Sequence, residues 1–407
     1  MTATGWLLAP LLAAAAYASV VGYVLRRRRL DIWWRDYVRH LAERPRTGST
    51  RNPTHVMFCF VDHFEPRWGN ASEEVEHERV RRWVEDYPRV CRGHRDADDR
   101  APRHTFFFPS EEYRPEHLER LAALCRDGYG EIEVHLHHDR DTEAGLRANL
   151  SEFITRLADA HDALPRDASG RALWSFVHGN WALDNSRPDG RWCGVDNELT
   201  VLADMGCYAD FTLPSAPSPT QTATVNSIYY AADDPCHPKS HDRGEAVRVG
   251  GSPSGHLMII QGPLCLRWKR RAAVPVPAIE NGDIRASNPP TAARVDAWVR
   301  HAPRVRGRPE WAFVKVHTHG TQTRDMDALL GEPVERMFSV LESRYNDGRD
   351  FKLHYVSARE MYNIIKAAEA GRSGNPNAYR NFHLPAPPNH ISNVRRENAP
   401  LAATAAS

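Results

Sequence analysis

The chain is poor in the signals that identify the commoner enzyme classes. No G-x-S-x-G elbow is present for a serine hydrolase, and no G-x-x-x-x-G-K loop for a nucleotide phosphate. The seven cysteines are odd in number and contain no C-x-x-C, which argues against a disulfide framework and for reduced thiols. One-signed charge is also missing. The 53 lysines and arginines nearly cancel 52 aspartates and glutamates, so no overall field attracts nucleic acid. Internal repeats are absent too. Histidine is in surplus, with 21 residues, and it is both the commonest metal ligand and a frequent proton carrier.

Charge is missing locally from Trp6 to Leu25, and at about 1.5 Å per residue this run is long enough for a hydrocarbon core of roughly 30 Å. With Arg26 to Arg29 following it, the run reads as a transmembrane anchor (1–25). The positive-inside rule then expects a single-pass membrane protein with its catalytic domain in the cytoplasm. Residues 26–51 read as a basic, amphipathic juxtamembrane segment lying at the membrane interface. Residues 371–407, rich in Pro, Asn and Ala, read as an irregular C-terminal tail.

Between them, residues 52–370 alternate strand and helix. Apolar β-rich runs stand at His55 to Val61, His104 to Phe108, Glu131 to Leu136, Leu173 to His178, Cys207 to Phe211, Trp311 to His317 and Phe351 to Val356. Helical periodicity follows most of them. One helix is expected from an Asn70 cap, one from Pro115 to Gly128, one over Glu198 to Met205, one near Asp325 to Leu341 and one from a Ser357–Glu360 capping box. This alternation predicts a parallel α/β sheet or barrel. Leu213 to Ser287 reads instead as long loops and irregular strands over its mouth.

Polar residues at strand C-termini are where α/β barrels keep their chemistry. Asp62-His63 ends the first strand, His135-Leu136-His137-His138-Asp139 the third, and His317-Thr318-His319 a late one. Residues two apart on an extended chain share a face, so His135 with His137, and His317 with His319, can converge. Two histidines and a carboxylate with an open position outline a catalytic metal site.

These motifs resemble the polysaccharide deacetylase superfamily, carbohydrate esterases on a distorted (β/α) barrel of parallel strands. Phe60-Val61-Asp62-His63 stands where that family has T-F-D-D, and Glu131 to Asp139 aligns with E-I-G-x-H-x-x-x-H. The resemblance implies Asp62 as base, His63, His135 and Asp139 as metal ligands, and His317 or His319 as acid. With His137 as ligand, Asp62 becomes the metal carboxylate, and both sets stay open. Ser175 to Trp181 occupies the family's Arg-containing motif without an Arg, leaving His178, Asn180 and Trp181 as substrate-binding candidates. Trp192, Tyr208, Tyr229 and Tyr230 are further aromatics of the intervening loops.

The implied activity is a metal-dependent hydrolase, with Zn²⁺ the expected divalent ion. It would remove N-acetyl groups from a polysaccharide or lipid-linked sugar, with the membrane as second partner and no nucleic acid. Two alternatives stay open. One is a non-catalytic glycan-binding or complex-assembling descendant. The other is a hydrolase of another amide, an ester or a glycoside, for which Glu65, Asp139 and Asp184 are the nearby carboxylates.

Overall fold

The computed structural model describes residues 3–45, 52–271 and 274–389. Two helices, α1 (Ala3–Arg27) and α2 (Leu30–Glu43), precede the body. The body begins with β1 (Thr54–His63), α3 (Glu73–Val90), β2 (His104–Pro109), α4 (Pro115–Arg126), β3 (Gly130–Leu136), α5 (Glu143–Thr155) and β4 (Trp174–His178). It continues with α6 (Glu198–Asp204), β5 (Cys207–Asp210), β6 (Ile228–Ala231), β7 (Gly244–Ala246), β8 (Leu257–Ile260), β9 (Cys265–Arg271) and β10 (Val274–Glu280). The last elements are α7 (Ala292–His301), β11 (Trp311–Thr318), α8 (Thr323–Leu329), α9 (Glu332–Tyr345), β12 (Phe351–Tyr355) and α10 (Ala358–Glu369).

The main sheet has the order β11-β1-β2-β3-β4-β5-β8-β6-β7. Its register puts β12 against Thr54 to Phe58 of β1 and β2 against Phe60 to His63, so two strands share one edge of β1 end to end. From β11 through β8 neighbouring strands are parallel, while β6 and β7 are antiparallel additions. Apolar side chains of the strands are buried on both faces, as the continuous hydrophobic runs require.

The sheet is mostly parallel, but it does not close into the expected barrel. From β5 to β10 the strand-helix alternation is interrupted, and β8 spends its second edge on antiparallel β6. Among the described residues no ladder then joins β8 to β11. The gap is spanned by a side chain, since Lys315 Nζ on β11 donates to the carbonyls of Phe211 and Leu213, each at 2.5 Å.

The N-terminal expectations are also corrected. Among the described residues no helix is long and apolar enough to cross a membrane. The transmembrane anchor, the membrane as a partner and the single-pass location with a cytoplasmic domain fall with it. Alanine, whose methyl gains little on leaving water, makes up much of the run, and Tyr17, Ser19 and Tyr23 add hydroxyls. The Tyr17 hydroxyl donates to the main-chain carbonyl of Pro275 at 2.9 Å. The aromatics of α2 divide between two faces, with Trp34 47% exposed. Trp33 and Tyr37 are buried in a cluster with Ala216, Val225, Leu264 and Cys265, and Asp36 accepts the Val225 N–H at 2.9 Å.

Local signals fare unevenly. The Ser357–Glu360 capping box of α10 is complete. The first body helix starts at Glu73 behind Ser72 rather than at Asn70, which takes a left-handed φ of 55°. The single helix expected near Asp325 to Leu341 is two, because Gly331 is extended and Pro333 restarts the chain as α9. The tail packs as far as Asn389, with buried Arg380 bonded to the Tyr355 carbonyl at 2.6 Å; residues 390–407 lie outside the described chain.

Candidate metal centre

The C-terminal ends of β1, β3, β4 and β11 deliver the polar residues to one end of the parallel sheet. At its centre His63, Glu65 and His135 are buried together, with ligand-type atoms all within 4.8 Å of one another. His135 Nδ1 lies 2.6 Å from the Val177 carbonyl, which only accepts, so that nitrogen carries the hydrogen. The other nitrogen then turns a lone pair on Glu65 Oε1 at 3.2 Å. Two acceptors facing each other need a proton or a cation between them. Glu65 Oε2 is buried without a hydrogen-bond partner, a further lone pair open to an ion. Burial, with the neighbouring imidazoles His319, His135, His317 and His137, holds His63 well below its usual pKa, so it stands as a neutral donor of the kind metals bind. Burial raises the Glu65 carboxyl, but its contact with His135 and the other nearby imidazoles outweigh that and leave it lowered.

The other candidates take up places around this group. His319 stacks on His63 with ring centroids 4.6 Å apart, and His317 lies at 6.5 Å. Trp181 approaches both His63 and His319, at 5.9 and 5.7 Å. His137 sits 4.6 Å from the His135 ring, with Nε2 at 3.5 Å from Glu65 and Nδ1 held at 2.5 Å by Glu111. Burial lowers the His137 pKa, and the bond to Glu111 overrides this and raises it. Asp62 is fully buried: Oδ1 accepts the Gly320 N–H at 2.6 Å and Oδ2 pairs with His104 at 3.0 Å. A Cβ on Gly320 would lie 2.0 Å from Asp62 Oδ2, so only glycine lets the β11 loop come this close. Asp139 turns away and accepts the Trp192 N–H at 2.5 Å. His178 points into a separate cluster with His138, and Asp184 bonds Ser240 and His241.

A cavity of about 410 Å³ opens beside the central group, lined by Glu65, Trp68, Glu111, Glu112, His137 and Asn180 among others. Burial, opposed by the Arg67 N–H and assisted by the Glu65 and Glu111 charges, lifts Glu112 to about 7. Glu111 is lowered, burial being outweighed by its bond to His137.

Glu65 as a candidate ligand and Glu111, Glu112 and Trp68 as cavity residues were not singled out for those places by sequence reasoning. Glu65 carried a signal, since it follows His63 by two positions; the others come from the β2–α4 loop and a turn whose packing no local pattern specifies. Tyr208, Tyr229 and Tyr230 are buried away from the cavity, and Trp192 sits under Arg187 at 4.1 Å.

Several residue groups among those described have the composition and spacing to hold a metal ion. Asp96 and Asp98, grouped with His354, already face the Arg380 guanidinium, which offsets their charge. Compared with known proteins, the chain matches no family model and no curated protein. The geometry of the site therefore carries the functional argument.

Proposed function

We propose that the chain is a metal-dependent hydrolase that removes N-acetyl groups from an amino-sugar polymer. The observation that carries this is the buried His63, Glu65 and His135 group beside an accessible cavity, with Glu65 Oε2 left unpartnered. A divalent ion such as Zn²⁺ held there would supply a Lewis acid for the acyl carbonyl and water acidic enough to react near neutral pH.

The protein's own groups supply the remainder. Val177 fixes the His135 tautomer through its carbonyl, the usual arrangement behind a ligating imidazole. Glu111 holds His137 by Nδ1 and leaves Nε2, 3.5 Å from Glu65 Oε1, to carry a proton at the cavity wall. His319, stacked on His63, is the group assigned to protonate the departing amine. Asp62 is a positioning residue rather than the base: it fixes the Gly320 N–H and so the turn bearing His319. Trp68, 44% exposed at the cavity, and Trp181 offer faces for sugar rings.

A second reading is favoured by one observation. Glu112, raised to about 7, neighbours the lowered Glu111, and a carboxyl pair with separated pKa values suits glycoside hydrolysis.

The test is metal analysis and product analysis of the full chain beside His135→Ala, supplied with N-acetylglucosamine oligomers. The deacetylase reading expects a bound ion at the first site, release of acetate without new reducing ends, and loss of turnover and of the ion at that site, though not of any ion held elsewhere, in the variant. New reducing ends without acetate support the glycosidase, and absence of metal with neither product overturns both.

A further inference from the structure

The end of β3, the end of β4 and the start of α6 bring a different set of donors together. His138, His178, Cys193 and Glu198 have ligand-type atoms all within 4.8 Å, and His178, Cys193 and Glu198 are completely buried. Their hydrogen bonds fix which atoms carry lone pairs. His178 Nδ1 lies 2.5 Å from the Gly179 carbonyl, so it donates there. His138 Nδ1 lies 3.2 Å from Asp141 Oδ2, and a carboxylate only accepts.

The remaining nitrogen of each imidazole, Nε2, is turned toward the other ring and toward Glu198. These two nitrogens are 2.9 Å apart, and Glu198 Oε1 lies 3.1 Å from one and 3.4 Å from the other. Three ligand-type atoms thus converge on one buried spot, which holds either a shared proton or a cation in its place. Cys193 Sγ completes the set at 3.5 Å from the second Glu198 oxygen.

We propose that His138, His178, Cys193 and Glu198 form a second, structural divalent-metal site suited to Zn²⁺, separate from the His63, Glu65 and His135 group. A tetrahedral ion with bonds of about 2.0–2.1 Å to nitrogen and oxygen holds those atoms about 3.3 Å apart, so the observed separations need to adjust by only a few tenths of an ångström. Four protein ligands leave no open position, which marks a structural rather than a catalytic ion.

Its place in the fold explains what it would hold. Between His178 and Glu198 the chain carries Asn180, Trp181, Asp184, Asn185 and Trp192, all with positive φ between 49° and 70°. Non-glycine residues persist in that region only when their surroundings fix them. An ion tying Cys193 to the ends of β3 and β4 would fix this loop, and with it Trp181 beside His63 and His137 next to His138. The inference stands whether or not the first site is a deacetylase, because it uses none of the first site's ligands.

Sulfur makes it separable by experiment, since the first group contains only nitrogen and oxygen donors. Zinc K-edge X-ray absorption on the full chain, with no substitution, should show a sulfur scatterer at about 2.3 Å. The His135→Ala protein should retain one ion with one sulfur per zinc. Loaded with Co²⁺, the parent and His135→Ala should show thiolate-to-cobalt charge-transfer absorption, and Cys193→Ser should lose it along with at least 10-fold in affinity for that ion. Zinc bound through nitrogen and oxygen alone, or Cys193→Ser with unchanged metal content and spectrum, overturns the proposal. So does a full chain that takes up no ion from micromolar zinc.

Discussion

Replacing Asp62 distinguishes a catalytic base from a structural post. Its carboxylate accepts from the Gly320 N–H at 2.6 Å and pairs with His104 Nε2 at 3.0 Å, in a fully buried setting beneath Trp83. Asp62→Ala orphans both donors, each at about 1–3 kcal/mol, for a loss of roughly 2–6 kcal/mol. Domains are commonly stable by only about 5–15 kcal/mol, so this is a large fraction. Asp62→Asn keeps the Gly320 bond through its oxygen and turns its amide N–H₂ toward His104. His104 must then present a lone pair at Nε2 and put its hydrogen on Nδ1, which is buried without a partner. One unsatisfied group gives about 1–3 kcal/mol. Urea unfolding at constant m measures both values, and metal content and acetate release are read on the same samples. A post gives the order alanine worse than asparagine, with activity falling in step with the displacement of His319. The reasoning is refuted if Asp62→Asn unfolds within about 0.5 kcal/mol of the parent, the usual scatter of a neutral substitution, yet loses turnover by orders of magnitude. That outcome restores Asp62 as the base.

Two predictions concern the frame around the site. Burial raises the Glu360 carboxyl, but Arg103 at 2.5 Å, Arg380 at 3.0 Å and Arg359 outweigh it and hold it well below the usual carboxylate range. A depressed folded pKa contributes stability that is complete above the unfolded value of about 4.3 and is lost as pH falls toward the folded one. Glu360→Gln should therefore lose about 3–5 kcal/mol at pH 7, because it leaves two arginines under-compensated. Below pH about 4.3 the gap to the parent should narrow, and urea midpoints that stay parallel down to pH 3 would contradict the assignment. Trp33 anchors α2 in the cluster with Val225 and Leu264. Trp33→Ala should remove about 3–5 kcal/mol of packing and expose Arg35 and Arg39 to trypsin at least ten times faster, with metal content unchanged; an unaltered digestion rate would mean that α2 is held by other contacts.

The sequence by itself determined the repeating units of the body and the strand ends where its histidines gather. Continuous apolar runs such as His55 to Val61 specify strands buried on both faces, and the Ser357–Glu360 pair specifies a helix start, because both depend on residues a few positions apart. The two-residue period likewise let His135 and His137 be read as sharing one face. What only the tertiary structure decided depends on residues far apart in the chain. The sheet stays open because β8 pairs with antiparallel β6, a choice between strands that no local period encodes. Burial of Trp33 and Tyr37 against the β8–β9 region sent an amphipathic helix to the body, although its pattern alone fits several apolar partners. Glu65, rather than Asp62 or Asp139, joins His63 and His135, while Gly320 and His104 each engage one Asp62 oxygen and the Trp192 N–H holds Asp139 elsewhere. The group of His138, His178, Cys193 and Glu198 spans sixty residues of chain between its first and last member, and only the folding of three segments onto one point makes it visible.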